Sequence, residues 1–388
     1  PAYLTLQSEE RNHKIWMGSA DYQLNFNRDK SSFILYTAFQ NTNRKHYTGI
    51  FPDEPGDIER HLENPPYGDS KTTTLQGGFQ LNHEISNFLR HRNVLTIGSE
   101  YVSDKVYDEI PSYNYLVDQH TKDWGSFFQS DWDFADKFNL LSGIRIDKHN
   151  LLDKVVISPR VALLYKHAAN TQFRLSYGTG FRAPQAFDTD LHIAFAGGGV
   201  SRVQLSPELR EERSKSFSAS VNYDKATENW IAGFTLEGFY TQLKNAFLLE
   251  EIGMDDFGKV FEKRNGNNAK VAGTTLELRA NYNKKMQLET GFTLQQSKYE
   301  NPVSYLEGIE ATRSFLRTPD EYGFANLNIT PDKRWTINLN YVYTGKMKIA
   351  HAGGADNFPE DQMVHTKAFS ELNSKVSHTF SLSNFKNV

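Results

Sequence analysis

Along residues 272–282 every second side chain shares a face. Ala272, Thr274, Leu276, Leu278, Ala280 and Tyr282 alternate with Gly273, Thr275, Glu277, Arg279 and Asn281. A period of two fits a β-strand with one apolar and one polar face, and no helix can use it. The pattern returns at 286–295, where Met286, Leu288, Thr290, Phe292 and Leu294 oppose Gln287, Glu289, Gly291, Thr293 and Gln295. Residues 216–223 and 335–343 repeat it. The chain is therefore read as all-β, built from many two-faced strands.

Composition narrows the class. Of 388 residues 38% are hydrophobic and 13% aromatic, with a formal net charge of -4 and no cysteine. No apolar run approaches the ~18 residues of a spanning helix, which excludes a helical membrane protein. The aromatic content excludes a disordered chain. The missing cysteines exclude a disulfide scaffold or a zinc–thiolate site, and the near-balanced charge argues against nucleic acid as a partner. Both a soluble sandwich and a transmembrane barrel would alternate in this way. The polar face, however, is rich in Ser, Thr, Asn, Gln and Gly. Trp230, Tyr240, Tyr282, Trp335, Tyr341 and Tyr343 stand near segment ends. Rings at two interfaces, lipid outside and water inside, are the pattern of a membrane barrel.

Connection lengths strengthen that reading. About fifteen strands are predicted, roughly at 13–27, 31–46, 71–86, 92–105, 122–134, 138–149, 155–166, 171–180, 212–224, 229–243, 269–282, 286–299, 320–330, 334–346 and 366–383. Tight connections such as Ala135-Asp136-Lys137 and Asn283-Lys284-Lys285 alternate with long ones at 47–70, 106–121, 181–211, 244–268, 300–319 and 347–365. Short turns at one end and long loops at the other define an up-and-down outer-membrane barrel. No interior helix is expected. An odd strand count cannot close such a barrel, so residues 1–388 are expected to be a partial barrel whose remaining strands lie elsewhere.

At 177–184 one strand runs into the longest loop as Tyr-Gly-Thr-Gly-Phe-Arg-Ala-Pro, ending in Phe181, Arg182, Ala183 and Pro184. Further on, Leu205-Ser206-Pro207-Glu208-Leu209-Arg210-Glu211-Glu212 precedes the next strand. Together these resemble two signatures of TonB-dependent outer-membrane receptors, Phe-Arg-Ala-Pro and a later Asn-Pro-x-Leu-x-Pro-Glu box. In the second, Pro207, Leu209 and Glu212 match, while Ser206 replaces the Asn and Glu211 the second Pro. The stretch from Pro184 to His192 looks like Bacteroidetes-like members. The resemblance implies a bacterial outer-membrane location and a barrel of about 22 strands plugged by a separate domain. No plug-like sequence appears in this chain. It further implies a transport receptor and not an enzyme. Such a receptor binds a scarce metal chelate (siderophore, haem or cobalamin) at its extracellular loops and imports it with energy from a TonB complex acting on the plug. Outer-membrane lipid, lipopolysaccharide and a surface lipoprotein are the other partners it implies.

Two readings of the first box stay open. Pro184 lacks an N–H and ends strand pairing while Arg182 pairs with a loop carboxylate or a lumen acid, or the box touches ligand directly. Candidate ligand contacts are Tyr113, Tyr115, Phe187, Asp188, Asp190 and His192. His192 lies where haem receptors of this family place a histidine, and its imidazole is a candidate iron ligand. Asp188 and Asp190 are candidates for orienting it or for holding a calcium ion. No intrinsic cofactor is expected. The alternatives are a passive porin-type channel and a soluble β-rich glycan-binding protein or hydrolase. No nucleophile elbow, zincin motif, phosphate loop or dinucleotide fingerprint supports an enzyme.

Overall fold

The computed structural model describes residues 7–50, 55–185, 193–196, 199–255, 258–305, 308–351 and 360–380. Its dominant element is a 16-stranded sheet in which 15 strands follow one another in sequence order. They begin with Gln7–Phe26, Ser31–Ile50, Tyr67–Phe88, His91–Ile110 and Tyr115–Ala135 and end with Trp335–Thr344 and Phe369–His378. Every neighbouring pair on this path is antiparallel, as in the Leu276↔Leu236 and Leu276↔Phe292 registers. The predicted strands Phe138–His149 and Ala269–Tyr282 appear with their expected limits. Among the described residues the first and last strands of the path do not pair with each other.

The two faces differ as the alternation requires. Leu276 is 41% exposed, Leu372 70% and Val376 61%, all on one face. Among the described residues no second layer of chain covers them, so the soluble-sandwich alternative fails. The opposite face is knitted by polar side chains. Thr275 and Thr293 hydroxyls lie 2.9 Å apart, and Asn340 donates to Asn326 at 2.6 Å. Arg279 spans three strands to reach Asp224, Asn222 and Thr235.

Aromatic rings mark both edges of the apolar band. Near the short turns Trp230 meets Tyr282 at 4.6 Å and Phe138 meets Tyr165 at 4.8 Å. Toward the long connections Tyr101 meets Trp124 at 6.0 Å and Tyr177 meets Phe217 at 4.7 Å. From Trp230 to Tyr240 is ten residues. At ~3.3 Å per residue and ~40° tilt this spans about 25 Å of height, the thickness of a barrel's lipid band. The short turns are tight. Leu89 and Arg90 take φ of 50° and 77°, and Asn283 and Lys284 take 48° and 58°, the left-handed pair that matches strand twist.

The long connections depart from expectation. Most of 106–121 is strand, interrupted only by a 3₁₀ turn at Pro111–Tyr113. A helix, Pro55–Glu63, sits in the 47–70 connection where none was expected. Segments from two different connections pair into a small sheet in the order Phe247–Asp255, Gly258–Asn265, Gly199–Leu205, Ile193–Ala196. Its central contact is parallel, Arg202–Leu205 against Val260–Lys263.

Candidate functional site

Strands that outrun the lipid band build the mouth of the barrel. Residues opposite one another across a ladder share a face. Tyr36, Gly78, Glu100, Gly125 and Asp147 therefore form one row on the polar, inward face. Tyr36 and Gln76 donate to Glu100 at 2.7 and 2.9 Å, and Arg145 donates to Asp147 at 2.7 Å. The two glycines make this possible. A Cβ on Gly125 would stand 2.1 Å from the Arg145 guanidinium, and one on Gly78 2.6 Å from the Tyr36 hydroxyl.

Higher on the same face Arg44 pairs with the fully buried Asp108 at 3.3 Å. The His46 ring lies over Gly68, whose missing side chain leaves it room. Beside them Tyr115 is 6% exposed and Ile110 1%. Burial, with the Asp108 charge adding to it, raises the Tyr115 hydroxyl above the usual phenol range. Burial beside Tyr47 pushes Tyr113 up to about 12. His149, at the loop end of its strand, is lowered by burial. Burial disfavours the phenolate of both tyrosines.

The small sheet leans onto this wall. Val203, Gln204, Leu205 and Val260 face Asn114–Gln119 across a cavity of about 370 Å³. The two sequence boxes anchor it. Arg182 is the register partner of Glu212, and their side chains approach to 3.5 Å. Glu212 also accepts the Phe247 backbone N–H at 3.1 Å. The Phe247 ring lies 4.6 Å from the Arg182 guanidinium and 4.9 Å from the Lys263 ammonium. Lys263, 1% exposed, donates to the Gln185 carbonyl at 3.5 Å. Ala183 and Pro184 are buried. The second box is held by Asn265, which accepts the Arg210 N–H at 2.7 Å and donates to its carbonyl at 2.9 Å. Within the box Pro207 and Leu209 lie in a turn closed by the Leu209 N–H donating to the Ser206 carbonyl.

These contacts favour the structural reading of the first box. Phe181 and Arg182 end the strand, and Arg182 is spent on a carboxylate at the start of the neighbouring strand and on an aromatic ring. Of the candidate ligand contacts, Tyr115 reaches the cavity and Tyr113 sits in the adjacent turn, not in the long loop expected there. Phe187, Asp188, Asp190 and His192 lie outside the described residues. Among the described residues no cluster of three or more metal-ligating acidic or histidine side chains occurs. Sequence reasoning missed Phe247, Lys263 and Asn265, although the Asn265-Gly266-Asn267-Asn268 run signalled a turn. It also missed the Arg44–Asp108 pair.

A single sheet with an apolar band between aromatic girdles, a wet inner face and elaborate loops at one end is a transmembrane β-barrel wall of the outer-membrane type. The sequence model of the family described as TonB dependent receptor-like, beta-barrel matches residues 2–388, and the chain belongs to that family. It resides in the bacterial outer membrane. An iron-regulated outer membrane virulence protein of Vibrio cholerae serotype O1 is 25% identical over 266 residues, covering 66% of this chain and 38% of that protein. Two solved structures share the fold. The siderophore receptor PirA from Acinetobacter baumannii has a TM-score of 0.69 at 14% identity, over 96% of this chain and 57% of that one. A mutant of the ferric enterobactin receptor PfeA from Pseudomonas aeruginosa gives 0.70 at 15%, over 96% and 55%. The chain thus spans less than two thirds of its relatives' length.

Proposed function

We propose that this chain forms part of the ligand-receiving wall of an uptake receptor for a ferric siderophore-type chelate, driven by a TonB complex through a plug domain. The observation that carries the reading is the cavity between Tyr115 and the inward-leaning loop sheet. Its ~370 Å³ falls in the range of small-molecule sites. It lies on the wet face, at the extracellular end, with the Tyr115 phenol in its lining and Tyr113 in the adjacent turn, both hydrogen-bond donors by chemistry. A catecholate or hydroxamate chelate presents the oxygen acceptors such donors suit. The iron-regulated relative and the siderophore receptors of like fold support the same ligand class. A haem reading depends on His192 and a calcium reading on Asp188 and Asp190.

The test uses the full-length protein as sole receptor in an outer membrane. Radiolabelled ferric catecholate, ferric hydroxamate, haem and cobalamin are offered in turn, with and without TonB. The expected result is TonB-dependent uptake of one ferric siderophore, with binding retained when TonB is removed and weakened at least tenfold by Tyr115→Ala. Uptake of haem that vanishes with His192→Ala, or uptake indifferent to TonB, would overturn it.

A further inference from the structure

The lipid-facing side carries a feature that ligand uptake does not use. On one cross-strand row lie Thr179, Lys215, Gln242, Lys270 and Lys298. The row directly below pairs Phe217 with Tyr177 and Tyr240 in the outer aromatic girdle. Lys215 therefore stands one step beyond the apolar band, on its outer side, and Lys270 and Lys298 continue its row. Arg213 and Lys244 are directly opposite one another on the same outward face, one step further on. Lys215, Lys244, Lys270 and Lys298 are all exposed. Lys270 pairs with Glu300 at 3.1 Å and Arg213 with Glu211 at 3.0 Å. Lys215, Lys244 and Lys298 form no ion pair among the described residues. Five cations thus face two carboxylates on a surface pointing at membrane.

Beneath the row the band is hollowed. A groove of about 950 Å³ runs over Ala219, Gly238 and Ala272, walled by Leu175, Phe217 and Tyr240. A Cβ on Gly238 would meet nothing within 4 Å. Its lining is mostly apolar, as an acyl chain requires.

The row is also inclined. Phe217 shares its row with Tyr177, Val161, Ser142 and Ser130, the last six residues nearer the short turns than the girdle residue Trp124. The membrane edge thus steps down in register along the sheet, as tilted strands require. At ~40° tilt and ~4.8 Å between strands the row climbs about 3 Å per strand. Lys298, three strands from Lys215, stands roughly 9 Å further from the bilayer core. A phospholipid keeps its phosphate in one shallow plane. Lipopolysaccharide carries anionic groups both on its acylated disaccharide and on the sugars above it.

From the apolar groove and the climbing cationic row above it, the geometry points to a specific lipopolysaccharide site on the outer wall at Lys215, Lys270 and Lys298. The acyl chains occupy the hollow at Gly238 and the lysines bind the lipid's anionic groups.

The experiment takes the full-length protein in detergent, delipidated and then incubated with purified rough-type lipopolysaccharide, and reads bound lipid by native mass spectrometry. Parallel arms use dephosphorylated lipopolysaccharide and phosphatidylglycerol. Variants are Lys215→Gln/Lys270→Gln/Lys298→Gln, Lys298→Gln alone, and Gly238→Leu, which fills the hollow. Retention is expected to fall at least tenfold in the triple variant and in Gly238→Leu, and severalfold in Lys298→Gln, with unchanged melting. Dephosphorylated lipid is expected to bind at least tenfold more weakly. Equal retention by wild type and the Lys298→Gln and triple variants, or one-for-one competition by phosphatidylglycerol, would overturn the assignment.

Discussion

The Glu212→Ala substitution isolates the latch that holds the loop sheet over the mouth. Glu212 accepts the Phe247 N–H at 3.1 Å and pairs with Arg182 at 3.5 Å. Its loss leaves a buried backbone donor unsatisfied beside Phe247, which is 8% exposed, and that costs about 1–3 kcal/mol. Arg182 is 37% exposed, so its pair adds no more than ~1 kcal/mol after solvent screening. The sum, about 1–4 kcal/mol, falls on the hairpin 247–265 and not on the barrel ladder. It raises the open population of that hairpin by roughly 5- to 1000-fold. Glu212→Gln keeps an acceptor for the N–H and is expected to lose only the ion-pair share, roughly fivefold in opening at most. Amide hydrogen exchange read by mass spectrometry on the full-length protein in lipid is the assay. Peptides covering 247–265 should exchange faster in the order wild type, Gln, Ala, while those covering 272–282 stay unchanged. Equal exchange in all three, or a general acceleration that includes 272–282, would refute the latch.

Three further outcomes follow from the same geometry. A Gly68→Val side chain would collide with the His46 ring, 2.4 Å from the first added carbon, and approach the Glu109 carbonyl at 2.9 Å. A loss of about 1–3 kcal/mol is expected in denaturant melts, with Gly56→Val, whose surroundings are open, near neutral. Because burial holds Tyr113 at about 12 in the fold against 10.0 when unfolded, its contribution is fully present below pH 10 and lost as pH rises toward 12. Tyr113→Phe should remove one phenol from the late-titrating part of the tyrosinate absorbance curve and leave the share of Tyr115 in place. Leu276→Arg, on the lipid face midway between the girdles, should cost about 2–4 kcal/mol in folding from denaturant into bilayers. Thr275→Arg, its inward neighbour, should cost far less.

The barrel strands were legible because lipid on one side and water on the other impose a period of two, as at 272–282. Beyond the band that signal fades, because both faces meet water. Asp104-Lys105 and Asp108-Glu109 are polar on either side, so the strand ends around 106–121 read as loop. The loop sheet was hidden for another reason. Its strands are short, and the pairing of Arg202–Leu205 with Val260–Lys263 joins segments 58 residues apart without any local pattern to announce it. The carboxylate partner of Arg182 was anticipated as a kind but not as Glu212, since only the cross-strand register places them opposite. The helix Pro55–Glu63 is a single short amphipathic segment with Leu62 still 66% exposed, too weak to stand out from a polar loop.

Residues 1–388 hold no cysteine, so single Cys substitutions at successive positions from 274 to 280 can each carry a spin label once any cysteine elsewhere in the full-length protein is changed to serine. Collision with lipid-dissolved oxygen and with a water-soluble nickel chelate, measured in reconstituted full-length protein, should alternate residue by residue. Thr274→Cys, Leu276→Cys, Leu278→Cys and Ala280→Cys should favour oxygen, and Thr275→Cys, Glu277→Cys and Arg279→Cys the chelate. A flat profile, or one with the two sets exchanged, would contradict a wall that is oily outside and wet within.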